Sequence, residues 1–341
     1  MKLAITMSLM LVSLSCHAQQ NALKERVQQK TNLYHSLTDS LIDKYQKITT
    51  DTNYISRPPQ PWTIRLRQDV YGNIFTTYIP EMTVMLSSQL KATTGIICNY
   101  RGLSLALSVN PAKIFKRTTN FEYNINYYNN HYGADVSLTD LKNINGSTTL
   151  TDGSSQQYTL TNTHWLSLSA NVYYVFSGKR FSYPAAFTHS WIQKRSAGSF
   201  LASSSFYMGH INSDFDTNTG LLSKDKSIDM KYVSLGVGYG YNYVPSKHWL
   251  LHLSAVPSLL LWKRYDVNVL VDEDTGEPIH THIPSHFPEV FNVGRLSVTY
   301  SWKNYLVGIS SVVQTSTIGR HSNMTISNTR WKTRAILGIR L

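Results

Sequence analysis

The chain has 341 residues, a net charge of +12, 15% charged and 12% aromatic residues, and only two cysteines. A charged fraction well below the roughly 25% of an average soluble domain, with no paired-cysteine motif, excludes a disulfide-stapled scaffold and a zinc ribbon. Lysine and arginine are scattered without a run, which argues against a nucleic-acid tail and fits an anionic envelope surface equally well.

Residues 1–18 have the form of a secretory signal peptide: Lys2, an apolar run from Leu3 to Leu14, and Cys16-His17-Ala18 before Gln19. The alternative is a lipoprotein signal with Cys16 as the lipidated residue; Ser13 stands where such signals usually carry leucine. No later stretch is long and apolar enough for a transmembrane helix. Within 19–50, Leu23, Val27, Tyr34, Leu37, Leu41, Tyr45 and Ile48 recur at helical spacing, which predicts a periplasmic amphipathic helix packed on the rest of the protein. Residues 51–61, with three prolines, predict an extended linker.

From Trp62 to Leu341 the chain alternates as strands do. Leu103, Leu105, Leu107 and Val109 oppose Ser104, Ala106, Ser108 and Asn110; Val233, Leu235, Val237, Tyr239, Tyr241 and Tyr243 oppose Ser234, Gly236, Gly238, Gly240 and Asn242. The polar face is small and mostly uncharged, unlike the Lys- and Glu-rich face of a soluble sheet. Trp62, Tyr183, Tyr243, Trp249, Trp262, Tyr300, Trp302 and Trp331 lie near expected strand ends, where an interfacial girdle sits. The fold class expected is all-β, an antiparallel transmembrane outer-membrane β-barrel of about 12–14 strands with an N-terminal amphipathic helix. Its polar lumen would carry Arg65, Arg67, Arg330, Lys332, Arg334 and Arg340. Short turns are expected at Ala197-Gly198, Pro245-Ser246-Lys247 and Lys303-Asn304, and long loops at 213–229, 264–289 and 315–328. The polar stretch 143–157 breaks that rule by falling on the short-turn side.

Several stretches carry a family resemblance. They are Asp51-Thr52-Asn53-Tyr54-Ile55 with the Pro-rich run and Trp62, Tyr100-Arg101-Gly102-Leu103-Ser104-Leu105 through Asn110-Pro111, and Tyr127-Tyr128 with Tyr132-Gly133-Ala134-Asp135. Ser190 to Ser199, containing Gln193-Lys194-Arg195-Ser196-Ala197-Gly198-Ser199, is the most specific; Gly238 to Asn242 and His248 to Leu251 complete the set. On these the chain resembles the Bacteroidota family catalogued as domain of unknown function 4421, exported proteins expected to form outer-membrane barrels. The resemblance implies no activity, cofactor or catalytic residue. The chain departs from many outer-membrane barrels in ending on Leu341 instead of an aromatic residue.

Three constellations of side chains could carry chemistry. His189-Ser190 and His321-Ser322-Asn323 place a base beside a hydroxyl, as lipid acyl hydrolases of outer membranes do, but strand neighbours point to opposite faces. The run Asp214, Asp216 and Asn218 with Asp225 beyond it offers oxygens for calcium, although the glycine and the last acid depart from an EF-hand loop. His280, His282 and His286 near Asp272, Glu273, Asp274 and Glu277 offer a transition-metal set. The expectation is a non-enzymatic barrel of structural or pore type, without a cofactor, contacting outer-membrane lipid and no nucleic acid. An assembly or secretion role through a periplasmic or envelope protein partner, and an outer-membrane lipid acyl hydrolase, are the alternatives.

Overall fold

The computed structural model describes residues 50–100, 103–109, 121–213, 222–271, 278–282, 288–319 and 324–341, with scattered positions between 24 and 44. Those scattered positions are helical, in a unit ending at Thr50; residues Asp51–Leu341 form a second unit. The expected signal peptide at 1–18 lies outside the described residues. No described helix is long and apolar enough to cross a membrane, which says nothing about strands.

Among the described residues the second unit holds sixteen strands: β1 (Ile55–Ser56), β2 (Trp62–Ile79), β3 (Met82–Ser88), β4 (Lys91–Tyr100), β5 (Leu103–Val109), β6 (Phe121–Tyr128), β7 (Tyr132–Leu150), β8 (Ser155–Val175), β9 (Ile192–Gln193), β10 (Ala197–Ser213), β11 (Leu222–Ser246), β12 (Trp249–Val271), β13 (Pro278–His282), β14 (Val290–Trp302), β15 (Tyr305–Ile318) and β16 (Thr325–Arg340). One short helix, α1 (Tyr183–Phe187), interrupts them. Every pairing is antiparallel.

The large sheet joins end to end through β16, β2, β3 and β7, while among the described residues β5 and β6 are not paired with each other. β2 pairs on one edge with β3 and β4, and on the other with β16, from Thr63–Arg340 to Tyr78–Thr325. The hydrogen-bonded ring therefore runs β2, β3, β7, β8, β10, β11, β12, β14, β15, β16 and back to β2. β3 and β4 form one bent strand. Between the pairs Ile74–Ser87 and Tyr71–Lys91, β2 moves three residues while its partner moves four, leaving a bulge. At the end that holds Trp62, Tyr100 and Trp302 (the base), β5 pairs with β4, and β6 pairs with the first half of β7. At the opposite end (the rim), β3 meets the second half of β7 directly.

The faces are the reverse of those in a soluble protein. Along β12, Leu251, Leu253, Ala255, Pro257, Leu259 and Leu261 are exposed, while His252, Ser254, Val256, Ser258 and Leu260 are buried. Along β11, Leu235, Val237, Tyr239, Tyr241 and Tyr243 face out, and Ser234 and Asn242 are fully enclosed. Alternation thus puts the apolar set outside and the polar set in the lumen. Leu105 and Leu107 stand opposite Cys98 and Ile96, and Ile96 faces outward. At the base Trp62, Tyr243, Trp249 and Trp302 are exposed; Trp262 is exposed toward the rim.

Four sequence expectations are corrected. Residues 143–157 are mostly strand, ending β7 and beginning β8 about a tight turn at the rim, so they form no long loop at the short-turn end. Ala197-Gly198 is the start of β10; the connection before it spans 176–196 and turns inward at the base. The long loops are shorter than expected, because β11 starts at Leu222, β12 runs to Val271, β15 to Ile318 and β16 starts at Thr325. Residues 51–57 are no free linker: β1 pairs with β9, and Asp51 N–H donates to the Lys179 carbonyl.

Candidate functional site: the closed lumen

The lumen is filled in three layers. The first, at the base, is the connection 176–196 folded into the barrel with 51–57 laid across it. Its sequence explains why it leaves the wall. In Phe181-Ser182-Tyr183-Pro184-Ala185-Ala186-Phe187 the proline has no N–H to give to a strand ladder, and the run turns into a short helix instead. Pro184 suits a helix start, and Ser182 caps it by accepting from Ala185 N–H at 3.2 Å. Phe181, Tyr183, Ala185, Ala186, Phe187 and Trp191 are buried with Ile55, Tyr173, Val175, Leu201, Leu250 and Val256. Tyr183, expected in the outer girdle, belongs to this core.

Gln193 fastens the segment. Its Nε2 donates to the carbonyls of Arg180 (2.6 Å) and Arg195 (2.9 Å), and its Oε1 accepts from Ser182 N–H and Asn242 Nδ2, both at 3.0 Å. A side-chain amide has two donors and two lone pairs, and all are used. Lys194 adds its N–H to the Tyr54 carbonyl (2.7 Å) and Nζ to the Thr52 carbonyl (3.0 Å). Val244 N–H donates to Ser196 Oγ at 2.9 Å, and Ser177 N–H to Ser199 Oγ at 2.9 Å. The most distinctive run of the sequence is therefore the latch of the inward segment. Gly240 sits beneath Phe181, where a Cβ would lie 3.0 Å from the ring.

From the latch a neutral chain of hydrogen bonds crosses the wall. His252 Nδ1 lies 2.7 Å from Asn242 Oδ1, and because Asn242 Nδ2 already donates to Ser182 O and Gln193, the imidazole supplies that proton. His252 Nε2 then accepts from Ser254 Oγ (3.0 Å), which accepts in turn from Tyr183 Oη (3.0 Å). Ser254, His252 and Asn242 repeat the bonding order of a serine hydrolase, a His-x-Ser pair on one strand that sequence reasoning passed over as ordinary alternation. They do not form an open site. All three are buried, rings of Phe181, Tyr183 and Phe187 lie 5.0–5.8 Å from the imidazole, and Tyr183 caps the hydroxyl. No acyl group has room there.

The Ser–His pairs singled out in the sequence do not assemble. His189 Nε2 meets Thr299 Oγ1 at 3.1 Å, while Ser190 Oγ meets Thr188 Oγ1 at 2.9 Å. His321, Ser322 and Asn323 lie outside the described residues. His189 takes a left-handed backbone, φ 55°, an uncommon choice for a residue with a side chain. Burial first, then the charge of Arg65 and further Arg340 and Arg334, hold its imidazole well below the usual histidine range. Arg65 also donates to the Thr188 carbonyl, tying the segment to β2.

The second layer is polar and charged. Arg65, Arg67, Arg330, Lys332, Arg334 and Arg340 all lie on the lumen side of β2 and β16, as alternation predicted, and Lys91 of β4 joins them. Arg334 holds Asp69 with two bonds (2.7 and 2.9 Å), and Gly338 leaves space for Arg65, whose Cγ would lie 2.8 Å from an added Cβ. Lys332 and Lys91 flank Tyr71, 5.2 and 5.9 Å from the ring centroid. From the opposite side, Arg295 of β14 reaches Asp135 of β7 (2.8 Å), halfway round the ring, and makes a strut across the lumen. Tyr128 Oη donates to the same carboxylate at 2.5 Å, and the guanidinium lies 5.1 Å over Tyr173. The third layer, toward the rim, is apolar and aromatic, with Phe75, Trp165, Tyr207, Tyr232, Tyr265 and Phe291 buried inside. At the same level Lys263 and Glu289 form a buried ion pair, so charge is not confined to the layer below.

Of the proposed metal ligands, Asp214, Asp216 and Asn218 lie outside the described residues, and Asp225 falls within β11 instead of a loop. His280 and His282 are in β13, paired to β12, whereas His286 is not described. Among the described residues no group of three or more His, Cys, Asp or Glu side chains is placed to hold an ion.

The family model described as domain of unknown function (DUF4421) matches residues 49–340. The chain belongs to the DUF4421 family. Its boundary coincides with the start of the barrel unit at Asp51, so the docked segment 51–57 is part of the DUF4421 domain. No curated protein matches the chain. Among solved structures, the DUF4421 barrel is similar to the outer membrane protease OmpT of Escherichia coli: 11% identity, 84% of this chain and 98% of that one, TM-score 0.41. It is also similar to the translocator domain of the Neisseria meningitidis autotransporter NalP, at 10% identity, 90% and 97% coverage and TM-score 0.34. A third is the P. putida toluene transporter TodX, at 7% identity, 82% and 90% coverage and TM-score 0.26. At such values none of them bears on what a DUF4421 chain does.

Proposed function

We propose that the chain is an exported outer-membrane β-barrel without enzymatic activity, of structural or transport type, whose lumen is closed at rest. The inversion of its faces supports this reading. A soluble protein with leucines, valines and tyrosines outside a closed ring would show water a contiguous apolar band, whereas a bilayer requires that exterior and a barrel with no free edge. The base, with its short turns and exposed Trp and Tyr, is assigned to the periplasmic interface and the rim to the outside. The sealed Ser254–His252–Asn242 set argues against hydrolysis. Cell fractionation with gel migration before and after boiling tests the reading: membrane association with a heat-dependent shift is expected, and a soluble, non-shifting chain would overturn it. In planar bilayers the native barrel is expected to be silent, and replacing residues 178–194 by a short Gly-Ser turn to produce conductance steps.

A second reading, in which the barrel recruits a periplasmic or envelope partner, draws on the helical positions before residue 50. Leu33, Leu37 and Leu41 recur there one turn apart and are exposed. Co-purification with and without residues 19–48 separates the two: loss of a specific companion on truncation favours the partner role.

A further inference from the structure

We infer that the middle of the lumen is a binding site for a small oxyanion of the phosphate class. A cavity of about 130 Å³ lies there, bounded by β15, β16 and β2 on one side and by β6 and β7 on the other. Its floor is Phe187 of the inward segment with the Asp135 end of the strut. Since a water molecule has a share of roughly 30 Å³ of liquid volume, the space suits a tetrahedral anion with a few waters.

The charge around it is one-sided. Inward ionisable groups on β16, β2 and β4 are the cations Arg65, Arg67, Lys91, Arg330, Lys332, Arg334 and Arg340, against one carboxylate, Asp69. Asp69 is committed to Arg334 and touched by Arg67 at 3.8 Å, and Asp135 is committed to Arg295. Arg330 has no ion pair among the described residues. One Nη donates to Gln314 Oε1 at 2.5 Å, and its guanidinium lies 4.9 Å from the Tyr207 ring, which together aim it at the cavity. Lys332 stands two residues along the same strand on the same face. A guanidinium fork beside an ammonium, under low-dielectric walls, suits a phosphate oxygen set, with the fork giving geometry and the lysine a point charge. Across the cavity, Asn124 and Asn126 of β6 line the wall yet remain exposed, so an ion has a way in. The inference stands whether or not the barrel conducts.

Inorganic phosphate is the probe, titrated calorimetrically into the full barrel in phospholipid-free maltoside micelles against sodium chloride of equal ionic strength. Saturable heat is expected, weakened at least tenfold in Arg330→Gln with Lys332→Gln, while heat-modifiable gel migration is retained. Asn126→Asp, at the exposed mouth, places a negative charge without touching the basic wall and is expected to weaken phosphate at least tenfold as well. If the native barrel instead carries a phospholipid that mass spectrometry detects and that phosphate displaces, the same site serves a phosphate headgroup. No saturable heat and no displaced lipid, or full binding in both variants, would overturn the inference. Fractionation as a membrane barrel with no phosphate effect would sink this site alone and leave the proposed function standing.

Discussion

The two walls of the lumen solve the same problem in opposite ways. Both must fill the inside of a barrel whose apolar residues are turned outward. On β8, β10, β11 and β12, below the level of Leu260, the inward set is neutral: Ser167, Ser169, Asn171, Ser199, Ser203, Ser205, Ser234, Asn242, His252, Ser254 and Ser258. Short side chains there leave room for the inward segment, which seats on this wall by shape and by hydrogen bonds to uncharged groups, such as Asn242 to Ser182 and Tyr183 to Ser254. On β16, β2 and β4 the inward side chains are long and cationic, and nothing folds in to cover the stretch from Tyr71 to Arg330. Neutral pairs contribute about 0.5–1.5 kcal/mol each and fail gently. A buried cation whose partner is removed fails hard. The difference separates a wall built for packing from one held under charge.

Asp69→Asn tests the charged wall most severely. It strips Arg334 of its carboxylate and leaves Arg65 and Arg67 facing it, so a loss of about 3–5 kcal/mol is expected, read as the urea midpoint of the heat-modifiable band. A loss within that of a single serine removal would erase the contrast between the walls. Leu253→Arg, on the lipid side of the serine wall, is expected to cost about 2–4 kcal/mol of assembly if its strand crosses a bilayer, measured as the folded fraction after refolding into vesicles. Equal folding of mutant and wild type would mean that the outer face meets water.

Gln193→Ala removes all the side-chain hydrogen bonds that this residue gives the latch at once. It is expected to cost about 1–3 kcal/mol and to raise hydrogen exchange across 176–196, with the ring strands still protected. His189 links the latch to the basic wall. Its folded pKa is lowered, so the unfolded chain takes up its proton first as pH falls. Stability is therefore full above about pH 6.5 and declines below it by roughly 1.4 kcal/mol per pH unit until the folded pKa is reached. The difference in urea midpoint between pH 7 and pH 5.5 is expected to shrink in His189→Asn. Ser254→Ala should be the mildest change, about 1 kcal/mol, and a fluorophosphonate is expected to leave the native serine unlabelled.

Much of the barrel was legible because its rule is local. Leu253 beside Ser254, or Arg330 beside Trp331, declares two faces within two residues, and the lumen placement of Arg65, Arg67, Lys332, Arg334 and Arg340 followed from counting by twos. The inward segment was illegible for the opposite reason. Ser182 finds Asn130, Tyr183 finds Ser254, and Ala186 finds Ser297, at separations of 52, 71 and 111 residues. No period runs through 176–196 to announce them. Loop lengths were overestimated because strand ends near the rim, such as Thr325 to Asn328, carry polar residues that resemble a turn. The Gln193–Ser199 run was recognised as distinctive, but that an amide latches a segment in place depends on backbone carbonyls that sequence does not display.

The seam between β16 and β2 also sets an order in time. Asp69 and Arg334 are 265 residues apart, so for most of synthesis the first strand of the ring travels with Arg65, Arg67 and Asp69 but without the strand that completes it. Contacts of such long range form late, after the local hairpins. Until then the edge of β2 is an unpaired template beside an under-compensated row of charges, open to pairing with a wrong strand. The carboxylate at its middle favours a partner strand that brings an arginine opposite, and β16 supplies one at the required register. The ion pair is then a check on closure: a ring joined one residue out of register would turn the arginine to the other face, and a slip of two would set Lys332 or Ile336 opposite Asp69 in place of Arg334.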